Sequence, residues 1–316
     1  MKILISDLVD RAAVDMLKKE HEVVEAEPSM EELKEMIGEY EGILIRSRTK
    51  LTADIISAAK KLKVIGRAGI GVDNIDLKAA TEHGIIVVNA PGSNSLSVVE
   101  LTIGQMISIA RKLVKADAHV RSGEWKRKAF VGVELMGKTL GLIGFGRIGS
   151  EVAMRAQVFG MNVITYDPYV KREVAENMGV RVVETKEELL KESDFVSIHA
   201  LLTDETRGLI SAPEFGIMKD SAFIINCARG GIVDEKALYD ALKNRKIAGA
   251  ALDVYEHEPP VNSPLLELDN IIFTPHIGAS TREAQQRAGT VAAEQMLTAL
   301  RGERPRFLVN RDVWKE

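Results

Sequence analysis

The residues between 141 and 149 carry the plainest chemistry of this chain. Gly144, Gly146 and Gly149 fit the spacing G-x-G-x-x-G, which lets a backbone turn come close to a pyrophosphate. The apolar run Thr139–Ile143 before it reads as a strand. A helical pattern from about Gly146 to Phe159 follows and places Arg147 and Ile148 in its first turn. A helix start offers unpaired N–H groups and a positive dipole end to an anion. A second strand pattern, Asn162–Tyr166, ends in Asp167, 18 positions after Gly149. That is the place of a carboxylate that grips a ribose 2′-hydroxyl. A glycine turn alone also occurs without a ligand; the trailing acid turns the balance toward a dinucleotide. Asp167 repels a 2′-phosphate and so favours NAD over NADP, a preference that the nearby Lys171 and Arg172 soften.

A second group of chemical residues lies at later strand ends. The apolar run Ala222–Cys227 leads to Ala228 and Arg229. Gly249–Asp253 leads to Glu258, and Ile271–Thr274 leads to His276. In a doubly wound sheet, ligands sit beyond the carboxyl ends of the strands. Singly, these three read as a loop cation, a surface carboxylate and a helix cap. Together they suit hydride chemistry on a 2-keto or 2-hydroxy acid. Histidine moves the hydroxyl proton near neutral pH, a carboxylate fixes the ring's orientation, and an arginine fork holds the substrate carboxylate.

The elements that position these groups are strand–helix alternations, which argue for parallel βαβ units. The first set of strands is Lys2–Ser6, Glu22–Ala26, Gly42–Arg46, Val64–Arg67 and Ile85–Asn89. Helical stretches Val9–Glu20, Ser29–Tyr40, Thr52–Lys60 and Asp76–His83 lie between them. The turn-rich segment Ala90–Ser95 marks the crossover to a second domain. One long helix is expected from about Ser97 to Ser122, apolar on more than one side. Six strands then follow: Thr139–Ile143, Asn162–Tyr166, Phe195–Ala200, Ala222–Cys227, Gly249–Asp253 and Ile271–Thr274. A last helix spans about Thr281 to Arg301, and a strand Arg306–Val309 completes the fold.

The bulk numbers set the class. With 316 residues, 46% hydrophobic and 28% charged, the chain suits one large or two ordinary globular domains. A net charge of −4 gives no general attraction to nucleic acid or to an anionic membrane. The single cysteine suits a reducing, cytoplasmic setting. No secretory leader, no membrane-spanning run and no zinc-ligand spacing is read, so no metal is expected.

Four segments, Val64–Asn74, Gly144–Gly149, Asn226–Glu235 and Thr274–Thr281, together resemble the D-2-hydroxyacid dehydrogenase family. The likeness runs from the Arg46 segment to the final helix. It implies an α/β architecture with a doubly wound parallel (Rossmann) cofactor domain over residues 94–283. A smaller flavodoxin-like substrate domain would be built from residues 1–93 and 284–316, with the active site in the cleft. It implies Arg229, Glu258 and His276 as the catalytic set. NAD contacts would come from Gly144, Gly146, Arg147, Ile148, Gly149, Asp167, His199, Ala200, Cys227, Ala228, Asp253 and Gly278. Many members have a His-x-Pro segment where this chain reads His199-Ala200-Leu201, which changes the shape of that loop. Cys227 is expected to be a small buried strand residue, not a nucleophile.

Arg46 and Arg67 each end an early strand, and the resemblance assigns such arginines to a substrate phosphate. A dianion needs charge-assisted donors of this kind. Backbone N–H groups at Ile70 and Gly71 would take the carboxylate. The expected activity is NAD-dependent oxidation of 3-phospho-D-glycerate to 3-phosphohydroxypyruvate, the opening step of the phosphorylated route to serine. Two alternatives stand beside it: a glyoxylate or hydroxypyruvate reductase on the same scaffold, whose members usually lack the arginine of the Val64–Gly71 segment, and an NAD-sensing binding protein like the corepressors built on this fold. A homodimer or a dimer of dimers is expected. Because the chain ends at Glu316, just past the expected last strand, no regulatory domain that senses serine is expected.

Overall fold

Apolar β-branched runs separated by amphipathic helices build two parallel sheets. The structure, a computed structural model, describes residues 1–314. One unit runs Met1–Asn94 and resumes at Ala279; the other is Ser95–Gly278. Residues 279–283 fall with the first unit because Thr281 caps the closing helix, Arg282–Leu300, which packs on the first sheet through Ala292, Ala293 and Met296.

The first unit contains β1 (Lys2–Ile5), α1 (Arg11–Lys18), β2 (Glu22–Glu25), α2 (Met30–Met36), β3 (Gly42–Ile45), α3 (Ala53–Ala58), β4 (Val64–Arg67), α4 (Leu77–Glu82) and β5 (Ile86–Val88). The strand order is β2-β1-β3-β4-β5, all parallel, as in flavodoxin-like folds. Leu33, Ile37, Ile55 and Ile56 cover one face of the sheet, and Val14, Leu17 and Met296 the other. Asp10 caps α1, and Ser29 with Glu32 forms a capping box on α2.

The expected strand Arg306–Val309 does not form. Only Leu308 makes an isolated antiparallel bridge, to Val88. The Asn310 side chain takes the Val87 N–H at 2.8 Å, so a side chain satisfies the sheet edge where a ladder would otherwise continue.

The second unit contains α5 (Ser95–Ala110), α6 (Leu113–Arg121), β6 (Thr139–Ile143), α7 (Arg147–Val158), β7 (Asn162–Tyr166), α8 (Arg172–Glu176), β8 (Arg181–Val182), α9 (Lys186–Glu192), β9 (Phe195–Ile198), α10 (Ala212–Ile217), β10 (Phe223–Asn226), α11 (Glu235–Lys243), β11 (Gly249–Leu252) and β12 (Ile271–Phe273). Its seven strands run β12-β11-β10-β9-β6-β7-β8, all parallel. This is the doubly wound order with one strand added at its outer edge. The order reverses between β6 and β9, which opens a crevice beyond their carboxyl ends.

Two expectations change in this unit. The sheet has seven strands where six were read, because β8 has two residues and shows no periodicity. The single helix expected from Ser97 to Ser122 is broken at Lys112, which is left-handed at φ 55°. The Ala110 carbonyl, needed by the next helical turn, instead accepts the Val133 N–H at 3.0 Å. Among the described residues no helix is long and apolar enough to cross a membrane.

Candidate active site

The glycine turn joins β6 to α7 in that crevice. Gly144 takes φ +95°, and a Cβ there would lie 2.8 Å from the His199 carbonyl carbon, so only glycine fits. A Cβ on Gly149 would meet the Gly144 carbonyl oxygen at 2.3 Å; its absence lets α7 pack tightly on the turn. A Cβ on Gly146 would meet nothing within 4 Å. Open space over a backbone at a helix N-terminus is what a pyrophosphate requires. Arg147 and Ile148 form the first turn of α7 behind it.

Asp167 follows β7. Its carboxylate accepts the Phe145 N–H at 2.7 Å and the Tyr169 N–H at 2.8 Å. The acid that would meet the ribose is therefore fixed to the glycine turn itself. His199 and Ala200 follow β9 beside Gly144. The His199 ring pairs with the Ser197 hydroxyl at 2.9 Å, and burial pushes its pKa down to about 4, so the ring is neutral near pH 7. These residues fit the pyrophosphate and adenosine ribose of NAD.

Arg229, Glu258 and His276 follow β10, β11 and β12, three neighbouring strands. The structure brings two of them into direct contact: His276 Nδ1 lies 2.7 Å from Glu258 Oε2. The other Glu258 oxygen accepts the Tyr255 N–H at 3.2 Å, which aims the carboxylate. Arg229 is held at its backbone, where Asn226, itself buried, donates to the Arg229 carbonyl at 2.9 Å and accepts the Ala228 N–H at 3.0 Å.

His276 is left-handed at φ 52°, a conformation that a non-glycine residue keeps only when its surroundings hold it. Asp253, 1% exposed, does the holding. Its Oδ1 accepts the Ile277 N–H at 2.8 Å and the Thr274 hydroxyl at 2.6 Å, and its Oδ2 accepts the Gly278 N–H at 2.8 Å. Thr274 in turn accepts from Gln105 Nε2 at 2.8 Å, and Gln105 Oε1 accepts from the Cys227 thiol at 3.1 Å. Burial pushes that thiol up to about 12, so Cys227 stays protonated and is no nucleophile.

Sequence reasoning missed Asn226, Thr274 and Gln105. One signal was present for Gln105. Along α5 the apolar positions Val98, Val99, Ile103, Met106 and Ile109 are interrupted by Thr102 and Gln105, which are equally buried. A buried amide must find partners.

In the first unit, Arg67 ends β4 and pairs in register with Ile45, the residue before Arg46. Both arginines thus leave the same sheet edge from adjacent strands. Arg46 is anchored on two sides: its N–H reaches Asp7 Oδ2 at 2.5 Å, and its carbonyl accepts from Asn74 at 2.7 Å. Asp7 is buried and also accepts from Arg48 and Thr49. The Arg67 guanidinium lies where a side chain on Gly69 would be, 1.4 Å from an ideal Cβ. Asn89 donates to the Ile70 carbonyl at 2.7 Å and steadies the loop that contains Gly71.

Residues 103–278 match the model of the D-isomer specific 2-hydroxyacid dehydrogenase NAD-binding domain. The chain is 55% identical over 311 residues to the D-3-phosphoglycerate dehydrogenase of Methanocaldococcus jannaschii; the match covers 98% of this chain and 59% of that one. It thus spans under two thirds of the length of this curated relative. A crystal structure of a Thermus thermophilus protein superposes with a TM-score of 0.91 at 36% identity, covering 98% of this chain and 100% of the other. A glyoxylate reductase from Paecilomyces thermophila superposes with a TM-score of 0.88 at 33% identity over 98% of each chain. The family model covers more than half of the sequence and contains the glycine turn, Asp167 and the three chemical strand ends, and on that ground the chain belongs to the D-isomer specific 2-hydroxyacid dehydrogenases.

Proposed function

We propose that the chain catalyses NAD-dependent oxidation of 3-phospho-D-glycerate to 3-phosphohydroxypyruvate, the first step of the phosphorylated route to serine. The observation that carries the choice of substrate is the pair Arg46 and Arg67 on adjacent strand ends. Two guanidinium groups at one sheet edge suit a phosphate dianion. The likeness to the Methanocaldococcus enzyme supports the same substrate.

Bound NAD supplies the hydride acceptor. Gly144, Gly146, Arg147, Ile148 and Gly149 would take the pyrophosphate and Asp167 the adenosine ribose. His199, Ala200, Cys227, Ala228, Asp253 and Gly278 would line the remainder. The protein's own chemistry is proton transfer and orientation. Glu258 accepts the His276 Nδ1–H, which leaves Nε2 as the atom that removes the hydroxyl proton in oxidation and returns it in reduction. Arg229 takes the substrate carboxylate, the group to which the Ile70 and Gly71 N–H donors are also assigned. The imidazolium formed on proton uptake is stabilised by the Glu258 carboxylate.

A homodimer completes the reading. Leu113, Val114, Val120, Trp125, Val131 and Met136 are exposed on and after α6, and a second copy would cover them. Light scattering tests this; a monomer at micromolar concentration would refute it.

A second reading, glyoxylate or hydroxypyruvate reduction, is favoured by the Paecilomyces likeness. One assay separates the two: NAD reduction with phosphoglycerate, set against NADH oxidation with glyoxylate and with hydroxypyruvate. Catalytic efficiency highest on phosphoglycerate supports the first; highest on glyoxylate supports the second.

A further inference from the structure

We propose that Gln105, on α5, is a positioning residue for His276. It acts through a directional hydrogen-bond chain that runs Cys227–Gln105–Thr274–Asp253 and ends on the two backbone N–H groups that follow the histidine. The inference rests on the dehydrogenase reading for the role of His276, though not for the existence of the chain.

The direction of every bond is fixed by chemistry. The Cys227 thiol is protonated and donates to Gln105 Oε1 at 3.1 Å. The amide must then present its NH₂ to the other side, where it reaches Thr274 Oγ1 at 2.8 Å. A hydroxyl that accepts from one side turns its own proton to the other, and Asp253 Oδ1 lies there at 2.6 Å. Asp253 is a carboxylate 1% exposed to solvent, so it needs several donors. It takes them from Thr274, Ile277 and Gly278.

The last two donors matter most. They follow directly on His276, whose backbone is left-handed. With both amides held on one buried carboxylate, the turn keeps that conformation and the Nδ1–Glu258 contact at 2.7 Å. If Gln105 is removed, the Thr274 hydroxyl can turn away from Asp253. The carboxylate then loses an oriented partner and the turn loosens. The Gln105 amide bonds Thr274 and Cys227, so its effect reaches His276 through Thr274 and Asp253.

The test uses Gln105→Met, of nearly equal volume and without the amide, Thr274→Val, which cuts the next link, and the double variant. Amide hydrogen exchange is read at Ile277 and Gly278 in the full chain without cofactor, and steady-state kinetics are read separately. The chain predicts exchange at these two amides faster by about tenfold or more in each single variant, with the core strands unchanged. It predicts kcat lower by about tenfold with KM for NAD nearly constant. It also predicts a double variant no worse than Thr274→Val alone, because both changes cut one path. Unchanged exchange at Ile277 and Gly278, uniformly faster exchange through the whole unit, or additive losses would each overturn the proposal. If the substrate reading fails, the exchange result still decides this one.

Discussion

Glu258 offers the sharpest perturbation of the proposed chemistry. Its carboxylate does two things to His276: it accepts the Nδ1–H at 2.7 Å, and it places a negative charge beside a ring that becomes cationic when it takes the substrate proton. Glu258→Gln keeps the shape and removes the charge. A hydrogen bond to a charged group contributes about 1.5–3 kcal/mol where buried. Here the side chains are 49% and 39% exposed, so solvent screening lowers that to about 1–2 kcal/mol. In rate this is about five- to thirtyfold. Stopped-flow measurement of NADH formation from 3-phospho-D-glycerate should show that loss in the chemical step, with KM for NAD nearly unchanged. Glu258→Ala should lose at least as much. A Glu258→Gln enzyme within about twofold of wild type would show that the contact does not act in catalysis.

Further outcomes follow from single sites. Gly146→Ala should fold normally, since its Cβ meets nothing within 4 Å, yet weaken NAD by about tenfold, or about 1.4 kcal/mol; unweakened NAD in a fluorescence titration would refute the cradle. Gly149→Ala, whose Cβ meets the Gly144 oxygen at 2.3 Å, should instead destabilise the fold by about 1–3 kcal/mol, read as a lower Tm. Asp167→Ala should lower the NAD-to-NADP ratio of kcat/KM by about tenfold or more; an unchanged ratio would remove Asp167 from cofactor choice. Glu214 reports acid stability. Burial raises its pKa, but Lys186 and Ser211 lower it more, to about 2 from an ordinary 4.5. Its contribution is therefore full above about pH 4.5 and lost as pH falls toward 2. Glu214→Gln should cost about 2–3 kcal/mol at pH 7, after a discount for the partly exposed Lys186 partner, and clearly less near pH 3; equal losses in urea melts at both values would contradict the assignment.

The chemical strand ends were legible because strand runs in this chain are short, apolar and each followed by a polar loop. The parallel topology was legible because strands and helices alternate. The break at Lys112 was not. Neither glycine nor proline marks it; a distant residue, Val133, takes the Ala110 carbonyl. The strand Arg181–Val182 is too short for periodicity to register. The Arg306–Val309 run has strand composition, yet Asn310 captures the edge N–H that a ladder needed. The second layer of the site was hidden for the same reason: Gln105 and Thr274 lie 169 positions apart, and Asp7 lies 39 positions from Arg46. Local pattern shows which groups can do chemistry, whereas the groups that aim them are chosen by tertiary contact.

Substrate choice is tested most directly by one comparison: kcat/KM for 3-phospho-D-glycerate against D-glycerate, in the wild-type chain and in the Arg46→Ala, Arg67→Ala double variant. Loss of charge-assisted phosphate contacts costs about 1.5–3 kcal/mol each. The wild-type chain should therefore prefer the phosphorylated acid by about a hundredfold to ten-thousandfold, and the double variant should lose most of that preference while retaining its rate on D-glycerate. Equal efficiency on both acids in the wild type, or a preference that survives loss of both arginines, would contradict the phosphate assignment.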